Sequence, residues 1–201
     1  MPKRDPLGLV PDRAATALIV LDLISDFSFD GGDRIARATL PVAQRIARLK
    51  ARAKAAKVPV IYVNDGLGRW RSDFPGLVRH CSRDTSRGAP IVRAIAPAGD
   101  DYCVLKPKHS GFYATALETL LDFLGAKRLI LTGVSSHQCV LFTANDAYVR
   151  DLALSIPRDC ISARNARDTR LALEYFTRVL GADVRASTAL RFGQARQKSA
   201  P

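Results

Sequence analysis

The sequence lacks several features that mark whole classes of protein. No apolar run approaches the ~18 residues that a membrane-spanning helix needs, and the longest candidate covers only residues 17–21. No apolar segment follows the charged start in the manner of a secretory signal, so we expect a cytoplasmic protein. The four cysteines form no C-x-x-C pair and no zinc-finger spacing with histidine, which argues against a structural zinc site and against disulfides.

Acidic residues are also scarce. The chain has 19 Asp and Glu against 31 Lys and Arg, which gives a net charge of +12. The one basic cluster, residues 34–57, has apolar side chains at helical spacing and predicts an amphipathic helix with a solvated basic face. No aromatic residues interleave with these bases, as a stacking platform for nucleic acid would require. We therefore expect no nucleic-acid or membrane partner, but a bias toward anionic small substrates.

The rest of the composition is that of a globular domain. The chain has 201 residues, of which 47% are hydrophobic, and no linker, repeat or low-complexity stretch divides it. We predict a single domain over residues 1–201, with flexible tails at 1–13 and 193–201.

Short apolar runs alternate with helical patterns along the chain. The first run, residues 17–21, is apolar at every position, which is typical of a parallel strand buried on both faces. Further strands are predicted at 59–63, 102–105, 128–132, 153–156 and 183–185. Helices are predicted at about 34–57, 114–124, 139–150 and 166–180, with an irregular stretch between 63 and 102. This alternation predicts a three-layer α/β fold, a mainly parallel sheet with helices on both faces.

Ligand sites of open parallel sheets lie beyond the carboxyl ends of the strands, so the residues after each apolar run are the candidates. Asp22 follows the first run, and Asn64 and Asp65 follow the second. Lys106 follows the third run, and Cys139 comes after a glycine-containing turn that follows the fourth. The search for a site therefore narrows to these few positions.

An acid, a lysine and a cysteine at three strand ends would make a hydrolytic site. A thiol attacks a carbonyl as its thiolate, and the N-terminus of the helix that Cys139 opens favours both a thiolate and an oxyanion. Asp22 would accept the thiol proton, and Lys106 would hold Asp22 ionised. Taken singly, each residue also has an ordinary interpretation: a turn aspartate, a surface lysine and a small buried cysteine.

Three motifs resemble those of the isochorismatase-like cysteine hydrolases, a family that includes nicotinamidases and carbamoyl-amide hydrolases. They are ALIVLDLISDF at residues 17–27, KPKHSGF at 106–112 and LTGVSSHQCV at 131–140, and they stand in the family's order. The resemblance extends over roughly residues 15–185.

This resemblance implies a six-stranded parallel sheet, assembly into a homo-oligomer (a dimer or tetramer), and a catalytic triad of Asp22, Lys106 and Cys139. It also implies a cis peptide between Val134 and Ser135. The backbone amides of Ser135 and Cys139 would then form the oxyanion hole.

The chain departs from the family pattern in three places. Ile24 stands where a glutamine often follows the catalytic aspartate, and His137 stands where many members carry an aspartate. The metal-binding Asp-x-His of nicotinamidases is replaced by NDGLGRW at residues 64–70, and the three histidines lie elsewhere. We therefore predict that the site uses no metal and no cofactor, and a nicotinamidase is not expected.

Further candidates lie beside the motifs. His137 could form a Cys–His dyad with Cys139, as in thiol proteases, or it could face solvent or another subunit. Aromatic side chains near the motifs could wall an apolar pocket or simply belong to the core. The residues predicted to bind substrate are Phe27, Asn64, Trp70 and Phe112.

The sequence thus predicts a cysteine-dependent amidohydrolase that cleaves a small amide or carbamoyl C–N bond, other than a peptide bond, through a thioester. Two alternatives stay open. One is hydrolysis of a vinyl ether such as isochorismate, which in this family does not need the cysteine. The other is a non-catalytic basic binding module on the same fold. Fast alkylation of a low-pKa Cys139 would favour the enzyme, and steeply salt-dependent binding of RNA or DNA would favour the module.

Overall fold

The computed structural model describes residues 13–68 and 73–192. Within them the strands are β1 (Thr16–Leu21), β2 (Val60–Asp65), β3 (Tyr102–Lys106), β4 (Arg128–Val134), β5 (Ala153–Ser155) and β6 (Ile161–Ser162). The helices are α1 (Gly32–Ala55), α2 (Phe74–Cys81), α3 (Ala89–Ala94), α4 (Leu117–Leu124), α5 (Cys139–Tyr148) and α6 (Ala166–Arg178). A short 3₁₀ turn covers Ser187–Ala189.

The strands form one sheet in the order β3-β2-β1-β4-β5, and β6 pairs with the end of β4. All the pairings between these strands are parallel. The chain builds outward from β1 to β3 and then crosses back to place β4 on the other side of β1. This reversal of strand order creates a crevice at the carboxyl ends of β1 and β4. The predicted six-stranded, three-layer α/β fold is confirmed.

Strand β1 lies between two apolar layers. Leu18 and Val20 pack into the core formed with α1, α2 and α3, whereas Ala17, Ile19 and Leu21 pack into the core formed with α4, α5 and α6. Side chains of a strand alternate between the faces of the sheet, so a strand covered on both faces has to be apolar throughout. The prediction of a doubly buried strand, made from this unbroken apolar run, is therefore confirmed.

The sequence prediction was wrong in three places. Two short helices, α2 and α3, occupy the stretch that was expected to be irregular, and the two-residue strand β6 was not predicted. The strand predicted at 183–185 is a single bridge between Asp183 and Ser155. The chain turns away there because the Asp183 side chain accepts a hydrogen bond from the backbone N–H of Arg185, which closes a turn of the Asx type.

The ends of two helices differ by a few residues from those predicted. Helix α4 begins at Leu117 rather than near Ala114, because Ala114 has a positive φ of 51° that a right-handed helix does not allow. Helix α1 ends at Ala55, shortly before Lys57 takes a φ of 56°.

The described residues contain no helix that is long and apolar enough to cross a membrane. Apart from Arg13, the predicted tails lie outside the described residues. The single domain over residues 1–201 stays a prediction.

Candidate active site

Three side chains from separate parts of the chain meet in the crevice. Asp22 directly follows β1, Lys106 is the last residue of β3, and Cys139 is the first residue of α5. The Lys106 Nζ atom lies 2.9 Å from Asp22 Oδ2 and 3.6 Å from Cys139 Sγ. Lys106 reaches these partners across β2, which separates β3 from β1 in the sheet.

Three oxygen and sulfur atoms surround the Lys106 ammonium. The third acceptor is the backbone carbonyl of Lys108, at 3.1 Å. An ammonium can donate three hydrogen bonds, so its orientation is set by the carboxylate, the carbonyl and the sulfur together. The Lys106 side chain is only 1% exposed and that of Asp22 12%, so this ion pair is shielded from water.

Backbone geometry aims the carboxylate of Asp22. Its φ of 52° lies in the left-handed region, which aspartate tolerates better than most residues. Its backbone N–H still donates to the carbonyl of Val63 at 3.1 Å. Its Oδ1 atom accepts the backbone N–H of Asp65 at 2.9 Å, which leaves Oδ2 for Lys106.

The loop before Cys139 depends on a close approach between β4 and β1. Gly133 has a φ of 112°, and a Cβ atom there would lie 2.0 Å from the carbonyl oxygen of Leu21, so only glycine fits. The next peptide bond, between Val134 and Ser135, is cis. The backbone N–H of Ser136 then donates to the carbonyl of Ser162 in β6 at 2.8 Å.

The first turn of α5 closes over this loop. The carbonyl of Ser135 accepts the backbone N–H groups of Gln138 at 3.0 Å and Val140 at 3.2 Å. These contacts hold the sulfur beside the backbone of Ser135, the residue predicted to supply half of the oxyanion hole.

Burial dominates the electrostatics of the site. It raises the pKa of the Asp22 carboxyl, against the opposing charge of Lys106. Burial and then the charge of Asp22 raise the pKa of the Cys139 thiol to about 12. Burial alone would lower the pKa of Lys106, but the charges of Asp22 and Cys139 outweigh it and raise that pKa. These directions oppose the low thiol pKa that the sequence predicts for Cys139.

Two histidines lie near the loop that precedes Cys139 or near its sulfur, and they point in different directions. His137 lies 3.5 Å from Ser135 Oγ through Nδ1 and 4.0 Å from Asp168 Oδ2 through Nε2, so it faces α6 rather than the sulfur. The ring next to the sulfur belongs to His109, whose Nδ1 atom is 3.9 Å from Cys139 Sγ. Sequence reasoning missed His109, although it lies inside the lysine motif three residues after Lys106.

The predicted substrate-binding residues have other surroundings. Phe27 and Phe112 are 1% and 7% exposed and belong to the two apolar cores, so neither offers much surface to a ligand. Asn64 is buried, its Oδ1 accepts the N–H of Ile24 at 3.0 Å, and its Nδ2 donates to the Ile24 carbonyl at 2.9 Å. Asn64 therefore fixes the loop that follows Asp22. Trp70 lies outside the described residues.

Within residues 13–68 and 73–192, no three His, Cys, Asp or Glu side chains lie close enough together to hold a metal ion. The prediction of a site without metal or cofactor stays a prediction. A cavity of about 380 Å³ lies between Ala38 of α1 and the segment from Ile161 to Leu173, and none of Asp22, Lys106 and Cys139 lines it.

Comparison with known proteins identifies the family of this chain. Residues 16–188 match the Isochorismatase domain. The chain belongs to the isochorismatase family. The resemblance noted in the three motifs, and with it the prediction of an isochorismatase-like hydrolase, is confirmed.

Similar isochorismatase-family proteins include two from bacteria. The uncharacterized isochorismatase family protein YaaI of Bacillus subtilis is 41% identical over 172 residues, which cover 86% of this chain and 94% of that protein. The ureidoacrylate amidohydrolase RutB of Methylorubrum extorquens is 31% identical over 174 residues, which cover 73% of this chain and 69% of that protein.

Solved structures of isochorismatase type also superpose on this chain. The N-carbamoylsarcosine amidase of Thermoplasma acidophilum has a TM-score of 0.67 and 27% identity, covering 88% of this chain and 98% of its own. A cysteine hydrolase of Pseudomonas syringae pv. phaseolicola has a TM-score of 0.69 and 27% identity, covering 87% of this chain and 89% of its own.

Proposed function

We propose that this isochorismatase-family hydrolase is a cysteine-dependent amidohydrolase that cleaves the C–N bond of a small amide or carbamoyl compound. The observation that carries the proposal is the position of Lys106 Nζ, which contacts both Asp22 Oδ2 and Cys139 Sγ. The names of a similar amidohydrolase and a superposable amidase, which act on ureidoacrylate and N-carbamoylsarcosine, support a carbamoyl substrate. The net charge of +12 supports an anionic one.

The first half-reaction begins with the proton of Cys139. Asp22 and Cys139 contact the same ammonium, so the Asp22 carboxylate is placed to take this proton as the sulfur attacks the carbonyl carbon. Lys106 stabilises the negative charge that passes between the two groups. The leaving nitrogen then takes the proton from Asp22 as the C–N bond breaks, which leaves a thioester on Cys139 and an ionised Asp22.

The carbonyl oxygen becomes negative in the tetrahedral intermediate. The backbone N–H groups of Ser135 and Cys139 are proposed to stabilise it, because Cys139 opens α5 and its N–H has no acceptor within the helix. Each donor of this kind is worth about 3–4 kcal/mol in the transition state. Water then hydrolyses the thioester, which releases the acid and restores the thiol.

Ammonia release from a panel of amides tests the proposal. The panel contains ureidoacrylate, N-carbamoylsarcosine, N-carbamoylglycine and nicotinamide, and the variant is Cys139→Ala. We expect turnover of at least one carbamoyl compound by the wild type and a loss of about 1,000-fold or more in the variant, since the nucleophile is gone. Mass spectrometry of the wild type quenched during turnover should find the acyl group on Cys139.

The matched control is Cys103→Ala, because Cys103 is an exposed cysteine on the same strand as Lys106. It should keep wild-type activity. Full activity of Cys139→Ala, or an acyl group on another cysteine, would refute the proposed triad.

A further inference from the structure

The loop between β3 and α4 places an imidazole beside the sulfur that the mechanism above does not use. His109 is exposed, and its Nδ1 atom lies 3.9 Å from Cys139 Sγ. The carboxylate and ammonium of the triad are almost completely buried. The sulfur therefore has an ion pair on its buried side and an imidazole on its solvent side.

The ring of His109 is held in this position. Lys106 donates to the carbonyl of Lys108, the residue immediately before His109, so the catalytic ammonium also fixes this end of the loop. The imidazole packs against the ring of Phe142, with centroids 5.5 Å apart and planes inclined by 30°. Phe142 lies on α5, one turn after Cys139, and so the ring and the sulfur share one support.

The residues after His109 are fastened to the same helix. Ser110 Oγ donates to the carboxylate of Asp146 on α5. The backbone N–H of Gly111 donates to Thr143 Oγ1 on α5 at 2.9 Å. The imidazole is thus positioned from both sides of the loop, although its own surface is open to water.

Resting on the function proposed above, we propose that His109 is a further catalytic residue, the general base that activates water to hydrolyse the thioester. The water of this step has to come from solvent, and the thioester carbon is bonded to the sulfur that His109 contacts. Asp22 lies on the buried side, with Oδ1 taken by the Asp65 N–H and Oδ2 facing Lys106. His109 is the basic group on the exposed side of the sulfur.

The protons balance in this scheme. The imidazole of His109 takes one proton from water as the water oxygen bonds to the thioester carbon, which gives a tetrahedral intermediate and an imidazolium. The C–S bond then breaks, and the imidazolium returns its proton to the departing sulfur of Cys139. The products are the free acid and the original thiol, with Asp22 and Lys106 unchanged.

The test separates the two half-reactions with p-nitrophenyl acetate, an ester that acylates a thiol without needing a proton on its leaving group. The wild type should release a burst of about one nitrophenolate per chain, followed by slower steady turnover. His109→Gln should keep the burst and lower the steady rate by about 100-fold, the scale of a lost general base. Hydroxylamine attacks thioesters without a base, so it should restore turnover in this variant.

A matched control and a nucleophile variant complete the experiment. Tyr113→Phe changes an exposed residue of the same loop and should leave both phases unchanged. Cys139→Ala should lose the burst, and mass spectrometry should find the acetyl group on Cys139 only in proteins that retain it.

The outcomes distinguish the two proposals. If His109→Gln turns over at the wild-type steady rate, or if its burst and steady rates fall equally, His109 is not the base and the proposed function is unaffected. If the wild type gives no burst, or Cys139→Ala gives an equal one, the cysteine is not the nucleophile and both proposals are refuted.

Discussion

Two lysines of this protein are buried against aspartates near opposite ends of β3, and they differ in their third partner. Lys50 of α1 contacts Asp101, just before the strand, at 2.6 Å and donates to the hydroxyl of Tyr62 and the carbonyl of Ala96, both at 2.9 Å. Lys106, at the end of the strand, contacts Asp22, a carbonyl and the thiol of Cys139.

The difference lies in what the partners can do with a proton. Burial and the charge of Asp101 raise the pKa of Tyr62, so its hydroxyl stays neutral beside Lys50. Lys50 therefore ties α1 to β2 and to the segment before β3. Lys106 instead contacts a thiol and a carboxylate, two groups that can exchange a proton. A buried lysine–aspartate pair is thus a structural clamp in one place and, as proposed, part of a catalytic centre in the other.

Lys50 with its partners and Lys106 with its partners form two clusters, which substitutions should distinguish. The largest effect, on catalytic activity, is expected from Lys106→Met. Without the ammonium, the buried Asp22 carboxyl holds its proton more tightly and no longer accepts one from the thiol. We expect kcat/KM on the best amide of the panel to fall about 1,000-fold, measured by ammonia release. A variant that keeps more than a tenth of wild-type activity would contradict a catalytic role for Lys106.

Lys50→Met should affect stability rather than catalysis. Removing one partner of a buried ion pair typically costs about 3–5 kcal/mol, and we expect the lower end because Lys54 still contacts Asp101 at 2.9 Å. The free energy of unfolding, measured in urea, should therefore fall by about 3 kcal/mol. The kcat/KM of the folded protein should stay within about threefold of the wild type.

Tyr62→Phe provides a graded control for the Lys50 cluster, because it removes only the hydroxyl that accepts from Lys50 and donates to the carbonyl of Ile95. A smaller loss of about 1–2 kcal/mol is expected. A folded Lys50→Met protein that has lost its activity would remove the distinction between the two clusters.

The smallest expected effect is a change in the free energy of unfolding at alkaline pH. The thiol of Cys139 has its pKa raised to about 12 in the native state, against about 8.5 in an unfolded chain. As pH rises above about 8.5, the unfolded chain loses the proton while the native state keeps it, so stability falls with pH through this window. Cys139→Ala lacks this contribution. Its unfolding free energy should drop less than that of the wild type between pH 7 and pH 10, by about 1–2 kcal/mol in urea titrations.

Cys160 offers the comparison outside the site, since burial and the nearby Asp159 also raise its thiol pKa to about 12. Cys160→Ala should show a similar change in alkaline stability while keeping activity. Equal alkaline losses in the wild type and Cys139→Ala would mean that the native thiol of Cys139 ionises as easily as a free one.

Sequence reasoning located the polar ends of the strands because that part of the fold follows from chain order. An apolar run ending in Asp22, and another ending in Lys106, leave little choice about which edge of a parallel sheet the two side chains occupy. The direction of a ring is a different problem. His137 stands two residues from Cys139 and turns away toward Asp168, whereas His109 lies 30 residues away and meets the sulfur. Tertiary contacts decide which histidine ring faces the sulfur, and such contacts leave no periodic signal in the sequence.

The aromatic candidates stay predictions, and their burial shows why the sequence could not decide their role. Phe27 and Phe112 flank motif residues, but the same hydrophobic side chain suits a pocket wall or a core, and packing assigned both to the core. The two-residue strand β6 and the short helices α2 and α3 were missed because segments of that length contain too few residues for a period to show.

The contact between Gly133 and the backbone of Leu21 sets the width of the gap in which acid and sulfur face each other. Asp22 follows one of these backbones and Cys139 is reached from the other, so even a single methyl group at Gly133 would act as a wedge that spreads them. A redesign of this protein for new amides can therefore change the surrounding loops. The spacing between strands β1 and β4 has to stay as it is.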